Sequence, residues 1–314
     1  MSVSEFELIQ RYFTEDSDVS GIVQGIGDDC AILQPPAGHQ LAVSVDTLVC
    51  DVHFPMSMDP EKLGYRALAV NLSDLAATGA TPWWFTLAIT LPEADEDWLR
   101  SFSRGLLSLA RDSGIALVGG DTTRGPLTIT VQVAGLVPEG QALTRSGARS
   151  GDGIYVTGTL GDAAGGLACW PDTSQEYLRQ RFCLPSPRLQ AGHILRGVAS
   201  SCIDISDGLL ADLGHILKRS NVGASLSCES IPLSSELVDY CGRERALDAA
   251  LTGGDDYELC FTLSVANALE IEQRLTSQDI PWSKIGIIEK QQGLRCLYAD
   301  GSPYQSSGRG YQHF

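Results

Sequence analysis

Lysine is scarce in this chain: its 314 residues include only Lys62, Lys218, Lys284 and Lys290. None of the four follows a glycine, so the glycine-rich, lysine-bearing phosphate loop of the Walker A type is absent. Histidine is almost as rare, with five dispersed residues, and no Ser/His/Asp or Cys/His set can be assembled from them. There is no run of about 18 apolar residues to span a membrane. Met1–Glu5 carries neither a basic nor an apolar leader segment. No Cys-x-x-Cys occurs among nine cysteines. Cys30, Cys169, Cys202, Cys260 and Cys296 sit in apolar neighbourhoods, as buried free thiols do. These absences predict a cytoplasmic protein in a reducing compartment, with no membrane partner.

Positive charge is in deficit too. The net charge of −17 argues against nucleic acid, whose binding needs cationic side chains. It also means that a polyphosphate would be repelled unless cations came with it.

What the chain has is carboxylate, in short motifs: Gly27-Asp28-Asp29, Ser44-Val45-Asp46, Asn71-Leu72-Ser73-Asp74, Gly119-Gly120-Asp121, Asp204-Ile205-Ser206-Asp207, Asp212 and Gly253-Gly254-Asp255-Asp256. Gly and Asp are also turn residues. Number and placement favour a different role, because Asp29, Asp46, Asp74 and Asp121 all follow apolar segments in one half of the chain. Asp74 lies among leucines, where neither packing nor turn chemistry explains it. Carboxylates gathered in this way hold hard divalent cations, which in turn hold phosphates.

Patterning predicts mixed α and β structure with antiparallel character in two blocks. In the first, Leu41–Asp46 reads as a strand. Asp59-Pro60-Glu61 starts a helix that carries Leu68, Leu72 and Leu75 on one stripe, with Asn71 and Asp74 sharing a face. Trp83–Leu91 is a strand, Asp95 opens a second helix ending at Gly114, and Ile115–Val118 is a short strand running into Gly119. Leu127–Val133 alternates as a half-buried strand whose apolar face needs a cover. The polar stretch Gln141–Gly153 marks the junction. Beyond it come a strand at Ile154–Thr157, a helix start at Gly161–Trp170 and a helix over Ser206–Arg219 with phosphate-receptive N–H groups at its start. A strand over Tyr257–Leu263, a helix over Val265–Thr276 and a closing strand pair, Ile285–Ile288 with Leu294–Tyr298, complete the block. The repeated Gly-Gly-Asp hints at related halves. Arg145, in a Gly/Ser loop of a lysine-poor chain, reads as a phosphate contact.

In order and spacing these motifs resemble the aminoimidazole-ribonucleotide-synthetase-like superfamily and, within it, the thiamine-monophosphate kinases. The similarity covers nearly the whole chain. Its strongest stretches are Gly25–Ala31, Ala69–Ala77, Gly119–Pro126, Ala142–Ala148, Asp204–Leu209 and Gly253–Leu259. The resemblance implies an α/β fold with α+β character: two domains, and mixed sheets with helices on one side. Residues 1–140 would bind ATP and Mg²⁺ and form a homodimer, and residues 150–314 would close the cleft. It implies Mg²⁺-dependent in-line transfer of the ATP γ-phosphate to thiamine monophosphate. Asp29, Ser44, Asp46, Asp74, Asp121, Asp204 and Asp207 would hold several Mg²⁺ ions, with Val45 adding its carbonyl. Asp46, Asp74, Asp121 and Asp207 would be catalytic through the metal. Gly120, Asp121, Arg145 and Ser206 would touch ATP; His53, Asp255 and Tyr311 would touch thiamine monophosphate. Relatives often carry glutamate where this chain has Asp255. The alternatives are another ATP-using enzyme of the superfamily, a metal-dependent phosphohydrolase, or a Mg-nucleotide binding module.

Overall fold

The computed structural model describes residues 5–14, 19–170 and 172–305. They divide into two compact units. The first runs to Leu75 and resumes over Ala80–Glu139; the second takes Ala76–Gly79 and the chain from Gly140 onward. Tyr311 lies outside the described residues.

The first unit comprises α1 (Glu5–Tyr12), β1 (Ile22–Gln24), β2 (Ile32–Leu33), β3 (His39–Val49), α2 (Pro60–Thr78), β4 (Thr81–Leu91), α3 (Glu96–Ser113), β5 (Ala116–Arg124) and β6 (Thr128–Pro138). Its main sheet has the order β3-β6-β4-β5, antiparallel except for the parallel β4–β5 pair. The helix starts follow their capping residues. Asp59 accepts from the Glu61 and Lys62 amides, Asp95 from those of Asp97 and Trp98, and left-handed Gly114 ends α3. Leu68, Leu72 and Leu75 of α2, and Leu99, Phe102 and Leu106 of α3, are buried. The two helices touch backbone to backbone: a Cβ on Gly105 would run into the Glu61 carbonyl.

The strand over Leu127–Val133 has its apolar face covered by its own chain. Ile129, Val131 and Val133 are fully buried, on the face that carries Ser44 and Asp46 and receives α2. The uncovered apolar surface is the opposite face, where Leu41, Val43 and Val45 are 48%, 54% and 56% exposed.

The second unit comprises β7 (Gly153–Thr157), α4 (Asp162–Ala168), α5 (Glu176–Cys183), α6 (Leu189–Leu195), β8 (Ser201–Asp204), α7 (Leu209–Ser220), β9 (Gly223–Ser227), α8 (Ser235–Cys241), α9 (Arg243–Thr252), β10 (Leu259–Leu263), α10 (Val265–Ser277), β11 (Trp282–Glu289) and β12 (Gly293–Leu297). The strand order is β12-β9-β11-β7-β10-β8. Helices cover this sheet on both faces. Leu213 and Ile216 of α7 and Leu251 of α9 pack with Ile154, Val156 and Ile203; Ile194 of α6 and Ile271 of α10 pack with Tyr155, Cys202 and Phe261. One-sided cover describes the first sheet only.

Four local expectations change. The helix expected from Ser206 begins at Leu209. The strand expected from Tyr257 begins at Leu259, because Tyr257 has a left-handed φ of 51°, which no strand accommodates. The two last strands do not pair with each other but flank β9, with β12 parallel to it. The two Gly-Gly-Asp segments are not equivalent: the first lies inside β5, the second in a loop.

Candidate active site

Within the first unit the predicted residues fall into two groups. The first joins β3 to α2. Ser44 Oγ donates to Asp74 Oδ2 at 2.5 Å. The Asp46 amide, at the open edge of β3, donates to Asn71 Oδ1 at 3.1 Å, and Asn71 Nδ2 is anchored on the Ala67 carbonyl. Asn71 and Asp74 share a helix face, as their spacing predicted. Burial, reinforced by the neighbouring Asp74 charge, pushes the Asp46 carboxyl up to about 7. Backbone polar groups alternate in direction along an antiparallel strand. With the Asp46 amide at the open edge, the Val45 carbonyl points toward β6, which makes Val45 a poor metal ligand.

The second group lines a cleft of 690 Å³ walled by α1, the Gly27–Ala31 loop and Gly119–Thr122. Asp28 is the turn-former of its motif: it accepts from the Asp29 amide and from Gln24 Nε2, and these bonds hold its carboxyl below the usual value. Asp29 and Asp121 are exposed beside it. Gly120 is sterically fixed as glycine, because a Cβ there would collide with the Leu87 carbonyl. The structure does not bring Asp121 to Asp46 within the unit. Asp121 lies in one row with Ala88, Thr130 and Thr47, so the two acids stand at opposite edges and on opposite faces of the sheet. His53 closes a tight turn. Its Nδ1 accepts from the Val49 amide at 3.0 Å, which leaves the ring hydrogen on Nε2.

In the second unit three loops converge. Ile205 bonds to Glu258 and Tyr257 to Ile205, and the Asp255 amide donates to the Ser206 carbonyl at 2.9 Å. The Thr144 carbonyl accepts from the Cys202 amide beside them. Asp204 ends β8 and is buried; Arg145, Ser206, Asp207 and Asp255 are partly or fully exposed. The Ser206 and Asp207 amides are not available to a phosphate, because both donate to Asp212 Oδ2 at 3.0 Å. Burial still pushes the Asp212 carboxyl up to about 7.

The segment after Gly254 is held against strain. Asp255 and Tyr257 both have left-handed φ, 71° and 51°, a cost kept where the surroundings over-determine it. The alternate residues do so. Asp256 accepts from the Gly161 amide at 2.7 Å. Buried Glu258 accepts from Arg188 at 2.5 and 2.6 Å, from Arg181 at 2.9 Å and from Thr157 at 2.6 Å. Burial alone would raise the Glu258 carboxyl, but the two arginines outweigh it and hold it below its usual value. The sequence offered no sign of this, since the partners lie 70 and 77 residues away.

Residues 27–137 match the AIR synthase related protein, N-terminal domain, and residues 149–298 its C-terminal domain. The chain is 48% identical to thiamine-monophosphate kinase of Escherichia coli (strain K12), over 100% of this chain and 99% of that protein. The chain belongs to the thiamine-monophosphate kinase family. Its fold overlays the crystal structure of the Stenotrophomonas maltophilia K279a thiamine-monophosphate kinase with a TM-score of 0.89 at 48% identity, covering 97% and 99% of the two chains. A second family member, AaThiL complexed with AMPPCP and TMP, overlays with a TM-score of 0.78 at 30% identity, covering 98% and 96%. Among the described residues of the present chain no group of three or more His, Cys, Asp or Glu side chains is placed to hold a metal ion.

Proposed function

We propose that the chain is a thiamine-monophosphate kinase that transfers the γ-phosphoryl group of ATP directly to thiamine monophosphate, giving thiamine diphosphate and ADP. The observation that carries the metal-dependent form of this reading is the Ser44, Asp46 and Asp74 constellation. Two carboxylates and a hydroxyl are hard oxygen donors suited to Mg²⁺. Burial and, after it, the Asp74 charge disfavour the ionised Asp46 carboxyl, and a divalent cation would offset both. Bound there, Mg²⁺ would neutralise the charge of the two phosphate substrates.

Asp29, Asp121, Asp204 and Asp207 are assigned as further metal ligands, with Gly120, Asp121, Arg145 and Ser206 on ATP and His53, Asp255 and Tyr311 on thiamine monophosphate. The 690 Å³ cleft beside Gly120 and Asp121 has a size suited to a nucleotide. The acceptor is a phosphate monoester, largely a dianion at neutral pH because its second pKa is about 6. It needs no general base, and no histidine among the proposed ligands has to serve as one. His53, with Nδ1 accepting from the Val49 amide, carries its ring hydrogen on Nε2. Positioning and charge neutralisation then supply the rate.

The homodimer is assigned to the open face of β3, where Leu41, Val43 and Val45 form an apolar strip. A cytoplasmic location is supported by nine free cysteines; among the described residues no helix is long and apolar enough to cross a membrane.

The test is ADP release in the presence of Mg²⁺, with thiamine monophosphate, with free thiamine and with no acceptor. Acceleration by the monophosphate alone is expected. Equal use of thiamine would mean that a base is present and the mechanism is wrong. Phosphate release without an acceptor would mark a hydrolase.

A further inference from the structure

We propose that a groove of 410 Å³ between α1 and α3 is a second ligand site, for a short polyphosphate anion. It is lined by Arg11, Arg100, Arg104 and Arg111, with Tyr12 and Ser103, and among the described residues no carboxylate lines it. In a chain of net charge −17 with 22 basic residues, four of them gather in this one groove. The sequence builds this deliberately spaced stripe. Arg100, Arg104 and Arg111 recur at helical intervals on the face of α3 opposite buried Leu99, Phe102 and Leu106. Arg11 and the buried Tyr12 come from α1.

Arg11 pairs with Glu96, Arg100 with Asp97 and Arg104 with Glu61, and Arg111 has an interaction partner too. None of these acids is among the groove's described lining residues, although Glu96 also accepts from the Tyr12 hydroxyl. The arginine side chains remain 54%, 60% and 59% exposed, and exposed ion pairs contribute only about 0–1 kcal/mol. Each guanidinium also has five N–H donors, more than one such pair uses. A ligand with several phosphate oxygens can therefore replace or share those partners, and guanidinium matches phosphate two bonds at a time. A di- or triphosphate chain offers more oxygens than a lone phosphate with which to meet arginines from both helices. The groove is distinct from the 690 Å³ cleft, although α1 borders both: Ile9 and Phe13 face the cleft, Arg11 and Tyr12 the groove, and Thr14 lines the two.

The experiment is calorimetric titration of the full chain with inorganic tripolyphosphate in excess EDTA, which silences any metal-dependent catalytic site. Saturable binding that weakens with salt is expected. Arg100→Gln/Arg104→Gln, and separately Arg11→Gln, should each weaken it at least tenfold while circular dichroism and thiamine monophosphate turnover stay at wild-type levels. Asp121→Asn should leave it unchanged. No binding in EDTA, or wild-type affinity in either arginine variant, would overturn the proposal. Neither result depends on what reaction the chain catalyses.

Discussion

Asp46 and Asp121 stand at opposite edges and on opposite faces of the same four-stranded sheet, with β6 and β4 between their strands. Adjacent strands are about 4.8 Å apart, so three spacings separate the two backbones by about 14 Å. A single Mg²⁺ binds its ligands at about 2.1 Å, so one ion cannot touch both acids of the same unit. Asp46 and Asp74, by contrast, feel each other's charge directly.

That geometry makes a thermodynamic prediction. In Mn²⁺ titrations of the full chain, the losses caused by Asp46→Asn and Asp74→Asn should be strongly non-additive if the pair holds one cation as proposed. Losses from Asp46→Asn and Asp121→Asn should add to within about 0.5 kcal/mol. Strong coupling of Asp46 to Asp121 would show that one ion joins them.

Asp74→Asn should lower kcat at least about 100-fold, the scale of removing one electrostatic stabiliser. The fold should survive, because an amide is isosteric and can still accept from Ser44. A large drop in Tm with near-normal kcat would assign Asp74 a structural role instead.

Glu258→Gln leaves Arg188 and Arg181 without their buried counter-charge and should destabilise by about 3–5 kcal/mol. The carboxyl is held below its ordinary value of 4.5. Its contribution is therefore fully present above that value and is lost as the pH falls through the lowered folded value. Denaturant midpoints of wild type and variant should differ most at pH 7 and draw together below pH 4.5. Because Glu258 braces left-handed Asp255 and Tyr257, KM for thiamine monophosphate should rise more than KM for ATP. An equal rise in both would mean that the brace does not serve the acceptor.

Val43→Lys places a charge in the exposed strip of β3. If this strip forms the homodimer, sedimentation at micromolar concentration should show a dimer for wild type and a monomer for the variant. The Tm of the variant monomer should stay close to that of a wild-type monomer, since Val43 packs against nothing in its own unit that would hold it buried. A wild-type monomer would remove the dimer assignment.

Direct transfer predicts intersecting initial-rate plots when ATP is varied at several fixed levels of thiamine monophosphate, because both substrates must be bound before a product leaves. A phosphoryl-enzyme would instead give parallel lines and would retain ³²P after ATP alone. Asp255 and His53 would then become the candidate nucleophiles.

The sequence alone determined what depends on local chemistry. The capping residues Asp59 and Asp95 fixed where α2 and α3 begin, leucine spacing fixed their buried faces, and the shared face of Asn71 and Asp74 followed from one helical turn. The motif order was enough to indicate the family, and the missing lysine loop excluded the commonest phosphate cradle. Only the tertiary structure decided the rest. It placed Asp121 away from Asp46, since register across four strands is set by pairing and not by spacing along the chain. It gave the Ser206 and Asp207 amides to Asp212, turned Tyr257 out of its strand, and left Leu41, Val43 and Val45 bare while covering Ile129, Val131 and Val133. The physical reason is common to all of these. A hydrogen bond or a buried charge is satisfied by whichever partner the fold brings near, and for Glu258 those partners are arginines 70 and 77 residues distant.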